Sequence, residues 1–221
     1  MANADRFKNL DSKKTNINKA QNQNMDSKKT NDKQTNKPKI MNKTKQNLDS
    51  KISLEKPHFV AIIMGSKSDY DVVKECILVL KKFEIKHEIY VSSAHRSPQR
   101  TIEIIKDCEA RGAAVFIGAA GMAAHLAGAI AAHTLKPVIA LPLPGGMMDG
   151  LDALLSSVQM PKGVPVATMS MGRAGAINAG YFAAQILALE PQNSGVLKAL
   201  KEDRKAQEAR LIEDTKEINK L

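Results

Sequence analysis

From residue 56 onward the sequence predicts a three-layer αβα sandwich built on a five-stranded parallel sheet, and three observations predict it. Short β-branched runs recur along the chain and are apolar throughout rather than alternating, the pattern of strands covered on both faces. Stretches with apolar residues at helical spacing follow these runs. Turn residues (Gly65, Ser97-Pro98, Gly112) fall at the joins.

Taken in order, His58–Met64 (HFVAIIM) reads as a buried strand ending at Gly65. Tyr70 to Phe83 places Val72, Val73, Cys76, Ile77, Leu80 and Phe83 on one helical face. Glu88 to Val91 is a second strand. Ser97 as N-cap and Pro98 at the first turn open a second helix, which Gly112 closes. Ala113 to Ala119 is a third strand, Ala123 to His133 a third helix and Val138 to Leu143 a fourth strand. Met148 to Val158 reads as helix, Val164 to Met169 as a fifth strand, and Ala174 to Leu189 as a helix of small residues. This alternation gives a doubly wound, flavodoxin-like α/β domain over residues 56–190. Residues 191–221 form a C-terminal helical arm. Its polar helix, 194–219, carries only a thin apolar stripe (Val196, Leu197, Leu200, Ala206, Leu211) and needs a partner surface, such as another subunit.

The formal net charge of +10 is unevenly spread: residues 1–56 hold 14 of the 33 Lys and Arg but only 6 of the 23 Asp and Glu. The basicity belongs to the N-terminal segment, and the remainder is close to neutral. A folded domain of this balance offers no concentrated cationic face for nucleic acid. Residues 1–55 are dominated by Lys, Asn, Gln, Ser, Thr and Asp, with Asp-Ser-Lys-Lys-Thr-Asn at 11–16 and again at 26–31, and no apolar stripe. Such a segment is expected to be a disordered tail, either a polyelectrolyte arm or an idle extension. No apolar run approaches the ~20 residues needed to cross a bilayer, and the start lacks a secretory pattern. Cys76 and Cys108 have neither a disulfide framework nor a metal-ligand spacing, so a cytoplasmic location is expected.

In a sheet of this kind ligands bind beyond the carboxyl ends of the strands, which singles out three loops. Gly65-Ser66-Lys67-Ser68-Asp69 offers two hydroxyls and helix-terminal amides to a phosphate, charge from Lys67 and an acceptor for sugar hydroxyls at Asp69. It reads equally as a plain capping turn, and it lacks the Walker pattern. Ser92 to Pro98 sets His95, a proton shuttle, beside Arg96, an anion clamp, or else is an ordinary solvated loop. Gly118 to His125 is a run of small residues whose backbone amides a ligand can approach closely. His125 either points into that site or packs on its helix; His133 reads as structural, and His58 and His87 as strand-edge or surface residues. No His, Cys or carboxylate spacing suggests a metal.

Five collinear stretches, MGSKSD (64–69), SAHRSP (93–98), AAHLAG (123–128), SSVQMPKGVPVAT (156–168) and GRAGAINA (172–179), together resemble the class I mutases of purine biosynthesis. These belong with the phosphoribosylaminoimidazole carboxylase catalytic subunits and interconvert N5-carboxyaminoimidazole ribonucleotide and 4-carboxy-5-aminoimidazole ribonucleotide. The resemblance runs from about Val60 to Leu189. It implies a ribonucleotide substrate, no cofactor or metal, and a homo-octamer. By position it makes Ser66 and Asp69 nucleotide-binding, with Asp69 on the ribose hydroxyls, and Arg96 the phosphate-binding arginine. It makes His95 the essential histidine and His125 a second active-site histidine. Ser93 and Ala94 would frame the imidazole and Gly121 would hold the transferred carboxyl group. Gln159-Met160-Pro161 and the C-terminal arm would reach a neighbouring subunit. The chain departs from the family's usual Gly-Gly at Gly121-Met122, where Met122 adds bulk and removes φ freedom, and from its His-Leu-Pro-Gly at Ala127. The Arg-Ser-Asn-Gly string of the carbon-dioxide-using class II relatives is absent. Other readings are a class II-type carboxylase, a carboxylase of pyridine mononucleotides, and a non-catalytic nucleotide-binding module.

Overall fold

The structure, a computed structural model, describes residues 58–220; the tail expected over residues 1–55 lies outside the described residues. All six residues of β1 (Phe59–Met64) are buried, and they alternate between two cores. Val60, Ile62 and Met64 face α1 (Tyr70–Lys82) and α5 (Gly172–Leu187). Phe59, Ala61 and Ile63 face α2 (Pro98–Arg111) and α3 (Leu126–Ala131). Burial on both sides is why this strand is apolar at every position. β2 (His87–Val91), β3 (Ala113–Ala120), β4 (Val138–Pro142) and β5 (Ala167–Thr168) complete a parallel five-stranded sheet in the order β2-β1-β3-β4-β5, with α4 (Leu151–Val158) between the last two strands. Cys76 is core filler, and burial pushes its thiol up to about 12.

Three elements are shorter than the sequence predicts, each for a local reason. β5 pairs with β4 only over Ala167 and Thr168, not from Val164, because Pro165 has no amide to donate and Gly163 turns the backbone at φ 91°. α3 begins at Leu126 rather than Ala123, since Ala123 and His125 take part in tight turns, with Ala124 N donating to Met122 O and His125 N to Ala123 O. α4 begins at Leu151 because Asp149 (φ 48°) and Gly150 (φ 93°) are left-handed and break a helix running back to Met148. At Ser97 the hydroxyl does not cap α2; it donates back to Ser93 O at 3.2 Å.

α1 and α5 lie against each other at Gly180, where a Cβ would come 2.8 Å from Val79 Cβ and 3.0 Å from Cys76 O. Gly180→Ala is therefore expected to destabilise by about 1–3 kcal/mol through overpacking, outweighing the better helix propensity of Ala. A denaturant midpoint as high as wild type would show that the two helices separate freely.

The arm adds α6 (Ser194–Ile218), whose first turns pack Val196, Ala199 and Leu200 on the α1/α5 side. Its buried Asp203, 8% exposed, pairs with Lys82 and accepts hydrogen bonds from Tyr181 Oη and Gln207 Nε2, both at 2.6 Å. That polar knot fastens the proximal half of the helix. Leu211, Ile212 and Ile218 farther along are exposed.

Candidate active site

From β1 the chain passes to the outer strand β2, then crosses back to β3 on the other side of β1. The loops leaving β1 and β3 therefore part in opposite directions and open a crevice at the carboxyl edge of the sheet. A cavity of about 540 Å³ occupies it, a size that suits a small-molecule ligand. Its walls come from the loops after β1, β2, β3 and β4.

In the first loop the capping turn is formed, and the residues that form it also reach the cavity. Ser66 caps the short turn Lys67–Asp69: its hydroxyl accepts from Ser68 N, and its own N–H donates to Asp69 Oδ2 at 2.8 Å. The same Ser66 and Asp69 line the cavity, whereas Lys67 is exposed and is not among the wall residues. Burial raises the Asp69 carboxyl above its ordinary value, against the hydrogen bonds from Ser66 and Ser68 and the charge of Arg96.

The second loop is held from beneath by the buried hydroxyl pair Ser92–Thr101 at 2.8 Å and by Arg96 N donating to Ser93 Oγ at 3.2 Å. Ser93, Ala94, His95 and Arg96 all reach the cavity. Arg96 Nη2 donates to Gly65 O at 2.8 Å, which ties this loop to the first one. A guanidinium has five N–H donors, so donors remain for an anion at the Ser66 end.

The third loop contributes Gly121, Met122 and Ala123 to the wall. Met122, the residue at which the sequence departs from the resembled Gly-Gly pattern, stands in left-handed backbone, φ 54°. His125 does not line the cavity; it meets His95 instead, Nδ1 to Nε2 at 2.9 Å, with ring centroids 5.0 Å apart and planes at 88°. Only one proton fits between two facing ring nitrogens, so at least one of the rings is neutral while the bond exists. The remaining histidines, His58, His87 and His133, are not on this cavity wall: His133 Nδ1 contacts Ala129 O at 2.8 Å, and His87 Nδ1 contacts Ile85 O at 2.9 Å. Among the described residues no cluster of His, Cys, Asp or Glu would hold a metal ion.

The fourth wall, Leu143 to Gly146 after β4, is not anticipated from the sequence. The signal for it was Pro144-Gly145-Gly146 directly after an apolar strand, the same strand-end position that singled out the other loops. Gln159, Met160 and Pro161 are not on this chain's cavity wall; Met160 Sδ fills the space beside Gly128 on α3.

A family model described as AIR carboxylase matches residues 59–210. The N5-carboxyaminoimidazole ribonucleotide mutase of Methanocaldococcus jannaschii is 43% identical over 162 residues, covering 73% of this chain and 98% of that protein. The mutase of the same name from Escherichia coli K12 is 41% identical over 162 residues, covering 73% and 95%. That of Bacillus subtilis is 50% identical over 128 residues, covering 58% and 79%. The crystal structure of Treponema denticola PurE matches with a TM-score of 0.65 at 28% identity, covering 72% of this chain and 98% of that one. The family model spans most of the chain and ends within the C-terminal helix, so the chain belongs to the AIR carboxylase family.

Proposed function

We propose that this enzyme converts N5-carboxyaminoimidazole ribonucleotide to 4-carboxy-5-aminoimidazole ribonucleotide in purine biosynthesis, as an isomerase. The observation that carries the chemistry is His95 on the wall of one cavity that also presents Ser66, Asp69 and Arg96. Relatives named for this reaction, alike over nearly their whole length, supply the substrate.

In the reaction the carbamate C–N bond breaks and its electron pair stays on the exocyclic nitrogen, which takes up a proton. Carbon dioxide is released beside C4 of the ring. C4, enriched by the amino group, attacks the carbon dioxide and then loses its own proton. The substrate already carries its carboxyl group, so neither ATP nor another cofactor enters the balance. One group serves as acid at the first step and base at the last, which histidine suits near neutral pH. We assign that shuttle to His95, with His125 bonded behind it to hold its ring.

Ser66 and Arg96 bind the phosphate, Asp69 the ribose hydroxyls, the Ser93–Ala94 backbone the imidazole, and the Gly121 amide the migrating carboxyl group. Binding energy from the phosphate end holds the ring in register for transfer. We further propose that copies of the chain assemble, as the family resemblance implies an octamer. The exposed apolar positions Leu151, Leu155 and Val158 on α4, and Leu211 and Ile212 on α6, support assembly. The cytoplasm is the proposed setting, supported by the free, buried Cys76 and Cys108; among the described residues no helix is long and apolar enough to cross a membrane.

Purified protein mixed with the carbamate ribonucleotide, without nucleotide triphosphate or added metal, is expected to form the C4-carboxylated product. Turnover only from aminoimidazole ribonucleotide plus bicarbonate would instead identify a carbon-dioxide-using carboxylase. Binding without turnover from either would leave a nucleotide-binding module.

A further inference from the structure

Met122 is a methionine in left-handed backbone (φ 54°) on the rim of the cavity, where most residues other than glycine are disfavoured. It is 63% exposed, so burial in this chain's core does not account for its position. Across the mouth stands Gly146, at φ 74°. A Cβ on Gly146 would lie 3.2 Å from Met122 Cγ, so the methionine passes over the glycine at a separation that an added side chain would crowd. Two loops, after β3 and after β4, thus meet through one flexible thioether side chain over one bare backbone. Both residues line the same cavity as Gly121 and His95.

We infer that Met122, lying across Gly146, seals the carboxyl-transfer end of the cavity and retains carbon dioxide between the two steps. The inference rests on the mutase reading above. Carbon dioxide is small, uncharged and weakly held by hydrogen bonds, so its retention depends on closing its exits to water more than on attracting it. An unbranched thioether fills irregular gaps and adapts to a substrate that comes and goes. If the seal opens after carbamate cleavage, the proton still ends on the exocyclic amine. Carbon dioxide then escapes, and aminoimidazole ribonucleotide leaves as a shunt product. Met122 is in this sense a positioning residue that acts on the partition of the intermediate.

The test runs the purified full-length enzyme on substrate carrying a carbon-13 carboxyl group, in unlabelled bicarbonate buffer, with the enzyme-free decarboxylation rate subtracted. Wild type is expected to keep the label in its product. Met122→Gly is expected to release about tenfold more aminoimidazole ribonucleotide per product formed, equal to a barrier to escape lower by about 1.4 kcal/mol, and to lose label accordingly. Because glycine relieves the left-handed backbone, the thermal midpoint of this variant should equal or exceed that of wild type, so misfolding does not explain the leak. Met122→Leu, which restores apolar bulk, should return the partition toward wild type. A Met122→Gly enzyme with the wild-type partition and full label retention overturns the inference. If wild type forms no product from the carbamate, the mutase reading fails, and this inference falls with it.

Discussion

His95→Asn is expected to lower kcat by roughly 10²–10⁴-fold, the usual contribution of a positioned acid–base group, while changing KM far less. Asparagine preserves size and polarity at position 95 but carries no proton that it can give and take back. The phosphate and ribose contacts proposed for Ser66, Asp69 and Arg96, on the other loop and the next residue, are expected to survive the change, since all three line the cavity independently of residue 95. The substitution also removes one ring of the His95–His125 pair and leaves His125 facing a side chain that cannot titrate. Steady-state kinetics on the carbamate substrate measure the effect. Turnover near that of wild type would take the proton shuttle away from residue 95.

Arg96→Ala is expected to act on binding. Loss of a charge-assisted contact to phosphate costs about 1.5–3 kcal/mol, or roughly 10- to 150-fold in Kd. The guanidinium also donates to Gly65 O, so its removal frees the loop that carries Ser66 and Asp69 and adds to the loss. Lysine should recover only part of it. Its point charge can meet a phosphate, but it lacks the planar fork that bonds Gly65 and an anion together. Calorimetric titration with the product ribonucleotide distinguishes these outcomes, and wild-type affinity in Arg96→Ala would remove the phosphate from this corner of the cavity.

What the sequence reveals of this molecule follows its burial. β1, β3 and β4 are legible because they are covered on both faces and have no polar positions to blur them. β5 is overextended by sequence reading because its apolar residues run on through Val164 and Val166, while pairing stops where Pro165 cannot donate. The late starts of α3 and α4 depend on the backbone of residues 122 to 125 and 149 to 150, and Met122 and Asp149 are left-handed residues that composition does not flag. Within the cavity, Ser66, Asp69, His95, Arg96 and Gly121 are named in advance because strand-end loops concentrate chemistry. The loop from Leu143 to Gly146 is missed because it has no titratable side chain to draw notice. The bond that links His125 to His95, across thirty positions of chain, emerges only from the fold.

A crystal structure with the product ribonucleotide bound tests these residue assignments together. The phosphate is expected within hydrogen-bond reach of Ser66 and Arg96, the ribose hydroxyls on Asp69, and the imidazole carbon C4 facing His95. A nucleotide seated away from the edge shared by β1 and β3, or a His95 ring turned from it into solvent, would rule out His95 as the proton shuttle of this cavity.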